Sequence, residues 1–338
     1  MKTIVSWLVA LGGLFWGNLA CAGAIDAGRL AAIDTHALAA NTQSEAAIRT
    51  LAQYLGTVTN SDAEKARAIY RWVADRIAYD IKSFSNKTSS SADPDAVFQS
   101  RLAVCAGYAA LFERLAKESG LEAVTIVGYA KGIGHITGSS IAVPNHAWNA
   151  VKLAGKWQLI DTTWGSGYVA DGAPVKKFSE TFFLPSPEQL VFSHHPQEAA
   201  WQLRSERLLS KTEFESLPEI NTAFFNLGID PSDVWKTVKS QEFKGALVRT
   251  FDLPAGVAKV RDTPLFYQLP AGSTQHFEIV SASFEKMAVE YNKKWLPMRK
   301  NGNVFSIDVA IKSKGELSVN GKTPTSTKHD AVLEYIVD

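Results

Sequence analysis

The sequence predicts an α+β protein in which N-terminal helices and an antiparallel sheet form one core, followed by a small all-β, sandwich-like domain. Three observations lead to this prediction. Apolar residues recur at helical spacing between residues 44 and 120, and two strand-like segments joined by a short turn lie between residues 146 and 160. From about residue 246, short alternating segments are separated by turn residues. A chain of 338 residues is long enough for two hydrophobic cores.

Composition excludes some classes of function. The formal net charge of +1 leaves no basic footprint for a nucleic acid, so we expect no nucleic-acid partner. After the N-terminal region, no segment approaches the ~20 consecutive apolar residues of a membrane helix, so we expect no integral membrane segment in the mature chain.

The first 22 residues have the pattern of a signal peptide. Lys2 precedes an apolar run, and small residues end the segment at Ala20-Cys21-Ala22, which fits cleavage after Ala22. We therefore expect a periplasmic or secreted protein. Lipid anchoring through Cys21 is the alternative, although Asn18 stands where lipoprotein signals usually have Leu.

The first mature segment, residues 23–43, is rich in alanine and is expected to be a flexible N-terminal stretch. Helical spacing then begins at residue 44, with Ile48, Leu51 and Leu55 on one stripe. Ser61 and Glu64 have the spacing of a capping box and predict the start of a second helix. We interpret both helices as scaffold.

Cys105 is the only cysteine left after cleavage, so it has no internal disulfide partner. A helical pattern runs from Tyr108 to a stop at Gly120, which puts Cys105 at or just before the first turn. The free N–H groups and positive dipole at a helix start stabilise a thiolate and can also bind an oxyanion. The alternative is a buried, inert cysteine that packs like a small apolar residue.

A histidine and an aspartate are predicted to meet through a hairpin. The strands His146–Leu153 and Lys156–Ile160 are joined by a two-residue turn, so paired residues should sum to 309 in sequence number. Asp161 then lies opposite Trp148 and diagonal to His146 on the same face. In this register Asp161 orients His146, and His146 takes the proton of Cys105. A one-residue slip would separate them, and His146 would then be a structural histidine.

Three ordered segments resemble the transglutaminase-like superfamily, particularly its kyphoscoliosis-peptidase-like branch. They are Val-Cys-Ala-Gly-Tyr-Ala at 104–109, His-Ala-Trp-Asn at 146–149 and Asp-Thr-Thr-Trp at 161–164. The sequence departs from the family where Ala103 replaces Gly and Thr162 replaces Pro. Downstream, Phe-Leu-Pro-Ser-Pro-Glu-Gln from residue 183 and His-Pro at 195–196 also resemble that branch.

The resemblance implies a papain/transglutaminase-like core and a cysteine catalytic domain at residues 44–218. It implies that Cys105 is the nucleophile, His146 the base and Asp161 the orienting acid. In several relatives a Gln upstream of the cysteine completes the oxyanion hole, and Gln99 is the nearby candidate. Trp148 and Trp164 would border the site as hydrophobic walls.

Other patterns are weaker. His194-His195 could suggest a metal, but neither a second mature cysteine nor clustered carboxylates accompany it, and a loop role is expected. His135, in a Gly-rich loop, is expected to be exposed, with substrate contact as the alternative. We expect neither a metal nor a cofactor. Residues 219–338 are expected to form a linker and the C-terminal β-sandwich-like domain, without chemistry of its own.

These inferences predict an exported thiol enzyme that acts on protein or peptide amide bonds, in the cell envelope or outside, through an acyl-thioester intermediate. Hydrolysis, as in a peptidase or amidase, is favoured because water at ~55 M reaches an open site unless an amine is held there. The alternatives are a cross-linking transglutaminase, which would use the same residues, and a non-catalytic envelope-binding or scaffold module.

Overall fold

The computed structural model describes residues 25–338 except residues 87, 89, 133, 134, 137, 206, 221–223, 252, 254 and 255. The predicted signal peptide and Cys21 lie outside the described residues. Within the described part of the chain, no helix combines the length and the apolar character that crossing a membrane would require.

Helices dominate the described residues between 25 and 120. In chain order they are α1 (Ala27–Leu38), α2 (Ile48–Gly56), α3 (Asp62–Arg76), α4 (Ile81–Asn86), α5 (Pro94–Ser100) and α6 (Cys105–Glu118). Two short parallel strands, β1 (Ala78–Tyr79) and β2 (Leu102–Ala103), connect them. The stripe predicted for α2 is buried, and Trp72 of α3 and Tyr108 of α6 lie in the same core.

Two N-terminal predictions are wrong. Of the stretch expected to be flexible, the described residues 25–43 contain α1, whose Ile33 and Ala37 are fully buried in the core. Alanine favours helix but is weakly apolar, so the stripe was hard to see in the sequence. The capping box is not formed either: Ser61 is the N-cap of α3 but its side chain makes no capping hydrogen bond, and the Glu64 carboxylate binds Arg29.

An antiparallel sheet follows the helices. It contains β3 (Ala123–Ala130), β4 (His146–Leu153), β5 (Lys156–Ile160) and, later in the chain, β8 (His194–Pro196), in the order β5-β4-β3-β8. Between β5 and β8 lie α7 (Thr162–Ser166), the hairpin β6 (Gly167–Ala170) and β7 (Ala173–Lys176), and α8 (Pro187–Leu190).

The predicted hairpin register is confirmed. Leu153 pairs with Lys156 and Asn149 with Ile160, as the sum of 309 requires. The turn residues Ala154 and Gly155 have φ values of 48° and 78°, the left-handed conformation that a two-residue hairpin turn needs at both positions. The turn therefore fixes the register of a strand that is buried on both faces.

The C-terminal half is largely β-structure. After α9 (Lys211–Ser216) and α10 (Pro231–Lys239), its strands are β9 (Arg249–Thr250), β10 (Lys259–Asp262), β11 (Gln268–Leu269), β12 (Thr274–Val280), β13 (Lys286–Tyr291), β14 (Lys294–Pro297), β15 (Arg299–Asn301), β16 (Val304–Ala310), β17 (Gly315–Lys322) and β18 (Asp330–Val337). The alternating segments expected from about residue 246 begin with β9, a strand of only two residues.

These strands form two sheets, in the orders β10-β12-β16-β15 and β11-β18-β17-β13-β14, with β9 beside β18. Phe277 of the first sheet and Tyr335 of the second are fully buried, and their ring centroids are 5.6 Å apart. The α+β class with a C-terminal all-β region is confirmed.

The boundary between the two hydrophobic cores lies before residue 218, where the first domain was expected to end. The buried cluster of the helical half extends to Leu190, and the second cluster begins at Val191 and includes Leu209 and Leu217. The segment between them serves both halves, because β8 adds to the sheet of the first half while its neighbours pack in the second.

Candidate active site

Cys105 is the first residue of α6 and is half-buried. The chain enters the helix from β2, and Val104 is an N-cap that has no polar side chain to bind the first N–H groups. The N–H group of Gly107 donates to the Val104 carbonyl oxygen, so those of Cys105 and Ala106 are the candidates for another acceptor where the thiol lies. The expected position of Cys105 at a helix start agrees with the structure.

Gly107, two residues after Cys105, is needed for close packing within the protein and does not make room for a substrate backbone. It is buried, and a Cβ built there would lie 2.7 Å from the Ala103 Cβ, 2.8 Å from the Ser91 carbonyl oxygen and 2.9 Å from a Val97 methyl. The glycine therefore lets the first turn of α6 pack closely against the protein's own chain.

His146 is the first residue of β4, and its side chain is only 6% exposed. Its Nε2 lies 2.7 Å from Oδ2 of Asp161. The Cys105 thiol lies close enough to the His146 ring for each group to shift the pKa of the other. Because Nε2 faces the carboxylate, Nδ1 is the ring nitrogen available to the sulfur.

Asp161 directly follows β5 and is fully buried. Its Oδ1 accepts hydrogen bonds from the backbone N–H groups of Thr163 (2.8 Å) and Trp164 (3.0 Å), and so caps α7. Its Oδ2 faces His146 and also His194, whose Nε2 is 3.0 Å away. Four donors therefore surround the carboxylate, and charged acceptors make the stronger hydrogen bonds.

The three groups shift one another's pKa values. Burial acts to raise the pKa of Asp161, but the charge and hydrogen bond of His146 outweigh it and the pKa falls well below its ordinary value. Burial acts to lower the pKa of His146, but the Asp161 carboxylate dominates and raises it to about 10. The pKa of Cys105 is lowered, since its hydrogen bond to His146 and the charge of that ring overcome burial. The site favours a thiolate beside an imidazolium.

His194 is a site residue that sequence reasoning missed. It lies on β8, not in a loop, and is 2% exposed. Two histidines in a row before a proline carried no signal for strand pairing, since β8 has only three residues. Its place beside Asp161 depends on the pairing of β8 with β3, where His194 lies opposite Ala130.

An open cleft of about 720 Å³ adjoins the site. His146, Thr163 and Trp164 are part of its lining. Apolar and aromatic side chains dominate the rest, including Tyr79, Phe84, Ile141, Tyr168, Phe178 and Phe182. Such a lining suits a ligand with apolar groups.

The other expected site residues have different positions. Trp164 lines the cleft, whereas Trp148 is 1% exposed and packs behind His146, in the core. His135 is half-buried and lines the cleft rather than being simply exposed. Gln99 is exposed on α5, beside the buried Val97 and Phe98, and is not among the described residues that line the cleft. The helix turns its side chain towards solvent, so an oxyanion role for Gln99 has no support.

His146, Asp161 and His194 offer ligand atoms within 4.8 Å of one another, a spacing that a metal ion could use. In the structure these atoms form hydrogen bonds with one another. The absence of a metal and a cofactor stays a prediction.

Comparison with known proteins gives a consistent result. Residues 49–162 match the model of the transglutaminase-like superfamily. The chain is 30% identical to kyphoscoliosis peptidase of Mus musculus over 281 residues and to that of Homo sapiens over 280 residues, each alignment covering 82% of this chain and 38% of the relative. Hillarin of Drosophila melanogaster is 28% identical over 229 residues, which cover 62% of this chain and 26% of that protein.

The chain thus spans well under half the length of these relatives. The matched residues 49–162 include Cys105, His146 and Asp161, and the longer alignments extend into the second half of the chain. The chain belongs to the transglutaminase-like superfamily, in its kyphoscoliosis-peptidase-like branch.

Proposed function

We propose that this protein is a thiol hydrolase that cleaves amide bonds in proteins or peptides, with Cys105 as nucleophile, His146 as general base and acid, and Asp161 as the orienting carboxylate. The observation that carries the proposal is the 2.7 Å hydrogen bond between Nε2 of His146 and Oδ2 of the buried Asp161. The same ring lowers the pKa of the Cys105 thiol at the start of α6. Nucleophile, base and orienting group in hydrogen-bond reach are the signature of covalent acyl transfer.

The reaction would proceed in two steps. The Cys105 thiolate attacks the amide carbonyl, and His146 gives its proton to the departing amine, leaving an acyl thioester. His146 then takes a proton from water, which attacks the thioester and releases the carboxylic acid and the thiolate. The free N–H groups at the start of α6 are suited to stabilise the oxyanion of each tetrahedral intermediate.

Two observations favour hydrolysis over cross-linking. The cleft beside His146 is open, so we expect water at ~55 M to reach the thioester unless an amine is bound there. The relatives in mouse and human are also named as peptidases. A cross-linking transglutaminase is the second candidate, because the same three residues could pass the acyl group to a lysine amine.

A third possibility, a binding or scaffold module without catalysis, would not need a depressed pKa at Cys105. We further propose export to the periplasm or the medium, based on the signal-like residues 1–22, and protein or peptide substrates in the cell envelope.

The test uses the full mature chain and a library of internally quenched peptides with apolar residues around the cleaved bond. Wild type should cleave some members, and mass spectrometry should identify a new carboxylic acid and an acyl adduct on Cys105. Cys105→Ala and His146→Ala should lose at least about 1,000-fold in kcat/KM, as removal of such groups does in related chemistry.

A fluorescent alkyl amine is added in parallel to detect transfer. Incorporation of the amine in preference to hydrolysis would replace the hydrolase proposal with the transglutaminase. Cleavage that persists in Cys105→Ala would rule out both. A thiol whose reactivity with iodoacetamide has an ordinary pH profile, unchanged in His146→Ala, would support the binding module.

A further inference from the structure

The Asp161 carboxylate is shared by two histidines. Its Oδ2 lies 2.7 Å from Nε2 of His146 and 3.0 Å from Nε2 of His194. Both rings are buried, and their centroids are 5.2 Å apart at a steep angle. A carboxylate oxygen only accepts, so each Nε2 must carry a hydrogen.

The other nitrogen of His194 also has a partner. Nδ1 lies 2.7 Å from the Ser193 hydroxyl, which is itself 3.2 Å from the Leu190 carbonyl oxygen. The hydroxyl has a single hydrogen, which can go either to Nδ1 or to the carbonyl oxygen. A neutral ring whose Nε2 donates to Asp161 has only an acceptor at Nδ1, so in that tautomer the hydroxyl donates to Nδ1, the nearer of its two partners. Ser193 thus holds the ring in the form that the carboxylate needs.

The surroundings keep His194 neutral. The titratable groups that face it, among the described residues, are Asp161 and His146, and the other neighbours are the rings of Trp148, Trp164 and Phe182. Burial lowers the pKa of His194, and the charge of His146 lowers it further against the opposing pull of Asp161. One histidine of the pair is therefore charged and the other is a neutral donor.

We propose that His194 is a positioning residue that, with Ser193, fixes the Asp161 carboxylate towards His146 and so sustains the reactive thiolate of Cys105. Oδ1 is held by the backbone of α7, and His194 holds Oδ2 from the opposite side. Without this donor the carboxylate can rotate away from His146, which weakens its hold on the imidazolium. The thiolate–imidazolium pair of Cys105 and His146 then becomes less stable, although His194 itself touches no reacting atom.

This inference rests on the proposed function, but its test does not require turnover. The probe is iodoacetamide, and the readout is the second-order rate of Cys105 alkylation between pH 5 and 10 on the full mature chain. His194→Leu keeps volume but loses the donor. It should lower the rate at pH 6 by about 10-fold, the effect of one hydrogen bond to a charged group, and move the apparent pKa of Cys105 upward.

His194→Gln retains an N–H donor and should stay within about 3-fold of wild type. Ser193→Ala leaves the ring in place but frees its tautomer, so a smaller decrease is expected, and this variant decides the matter if His194→Leu does not fold. The matched control is His195→Leu, since the neighbouring ring binds the Leu209 carbonyl oxygen instead of Asp161. Its alkylation profile should follow wild type.

Profiles for His194→Leu and Ser193→Ala that both overlay wild type would overturn the inference, as would a Gln variant as impaired as the Leu variant. These outcomes differ from failure of the proposed function, which would appear as cleavage by Cys105→Ala. A lowered alkylation rate in His194→Leu that is restored in His194→Gln supports the role of His194. This holds whether the enzyme passes the acyl group to water or to an amine.

Discussion

At the scale of single residues, the chemistry depends on one buried carboxylate. Asp161 has no exposed surface and accepts hydrogen bonds at both oxygens. Its negative charge raises the pKa of His146 against the effect of burial, and the ring in turn lowers the pKa of Cys105. Removing the charge of Asp161 should therefore change the pKa of the Cys105 thiol, because Asp161 acts on it through His146.

Asp161→Asn tests this coupling. The amide keeps the shape but has no negative charge, so the pKa of His146 should fall and that of Cys105 should rise. We expect alkylation of Cys105 by iodoacetamide at pH 6 to slow by at least about 10-fold. Asp171→Asn, on the exposed β6–β7 turn, is the matched control and should react like wild type. Equal rates in both variants would contradict the coupling.

The charged state of His146 also has a consequence for stability. Its pKa in the folded protein is about 10, above the ordinary 6.5, so the imidazolium stabilises the fold fully below pH 6.5. This contribution is lost as pH rises through about 10. Cys105→Ala removes the part of the shift that the thiol causes and keeps the larger part from Asp161. It should therefore lose stability as pH rises above 6.5, over a range that ends below the value of about 10 in wild type, whereas Cys105→Ala/His146→Gln should not.

The measurement is urea unfolding of both variants across that pH range. The difference between their free energies of unfolding should shrink by at least about 1 kcal/mol from pH 6.5 to 10. A difference that is constant with pH would mean that His146 is neutral in the folded protein.

At the scale of elements, the thiol is positioned by how closely α6 approaches its neighbours. Gly107 permits this approach, since any Cβ there would overlap Ala103, Ser91 and Val97. Ala103 belongs to β2, which pairs with Tyr79 of β1 in the cleft wall. A shift of the first turn would therefore move both Cys105 and the cleft.

Gly107→Ala should destabilise the protein by about 1–3 kcal/mol through overpacking and slow the alkylation of Cys105. Thermal unfolding and the iodoacetamide rate measure the two effects. Gly56→Ala is the control, because a Cβ at Gly56, the last residue of α2, meets no atom within 4 Å. It should be neutral or slightly stabilising. A Gly107→Ala protein as stable and reactive as wild type would show that α6 tolerates displacement.

At the scale of the whole molecule, the N-terminal helix is part of the core. Arg67 of α3 is fully buried and binds Asp34 of α1 at 2.7 Å on one side and Glu180, beside the cleft, on the other. The guanidinium also lies over the rings of Phe178 and Phe183. A buried charge of this kind is costly when one of its partners is removed.

Asp34→Ala should therefore lower the free energy of unfolding by about 1–3 kcal/mol, because Arg67 loses two hydrogen bonds to a charged group. Thermal or urea unfolding measures it. Asp62→Ala provides the comparison, since its ion pair with Lys65 is exposed and should contribute less than about 1 kcal/mol. Equal losses in the two variants would show that α1 is dispensable to the core.

Two features of the candidate site can be predicted from short stretches of sequence alone. A helix start at Cys105 follows from apolar spacing, and the meeting of His146 with Asp161 follows from a two-residue turn and the period of a strand. These relations need only near neighbours in the chain, so they could be predicted without coordinates.

The contacts between residues that are far apart in the chain are visible only in the folded protein. His194 reaches Asp161 because three residues of β8 pair with β3, and α1 joins the core through an ion pair with α3. Gln99 has no support as a site residue, since it is exposed beside the buried Val97 and Phe98 of α5. Long-range pairing and burial are properties of the packed molecule, and short segments such as β8 carry too few residues to encode them in a readable pattern.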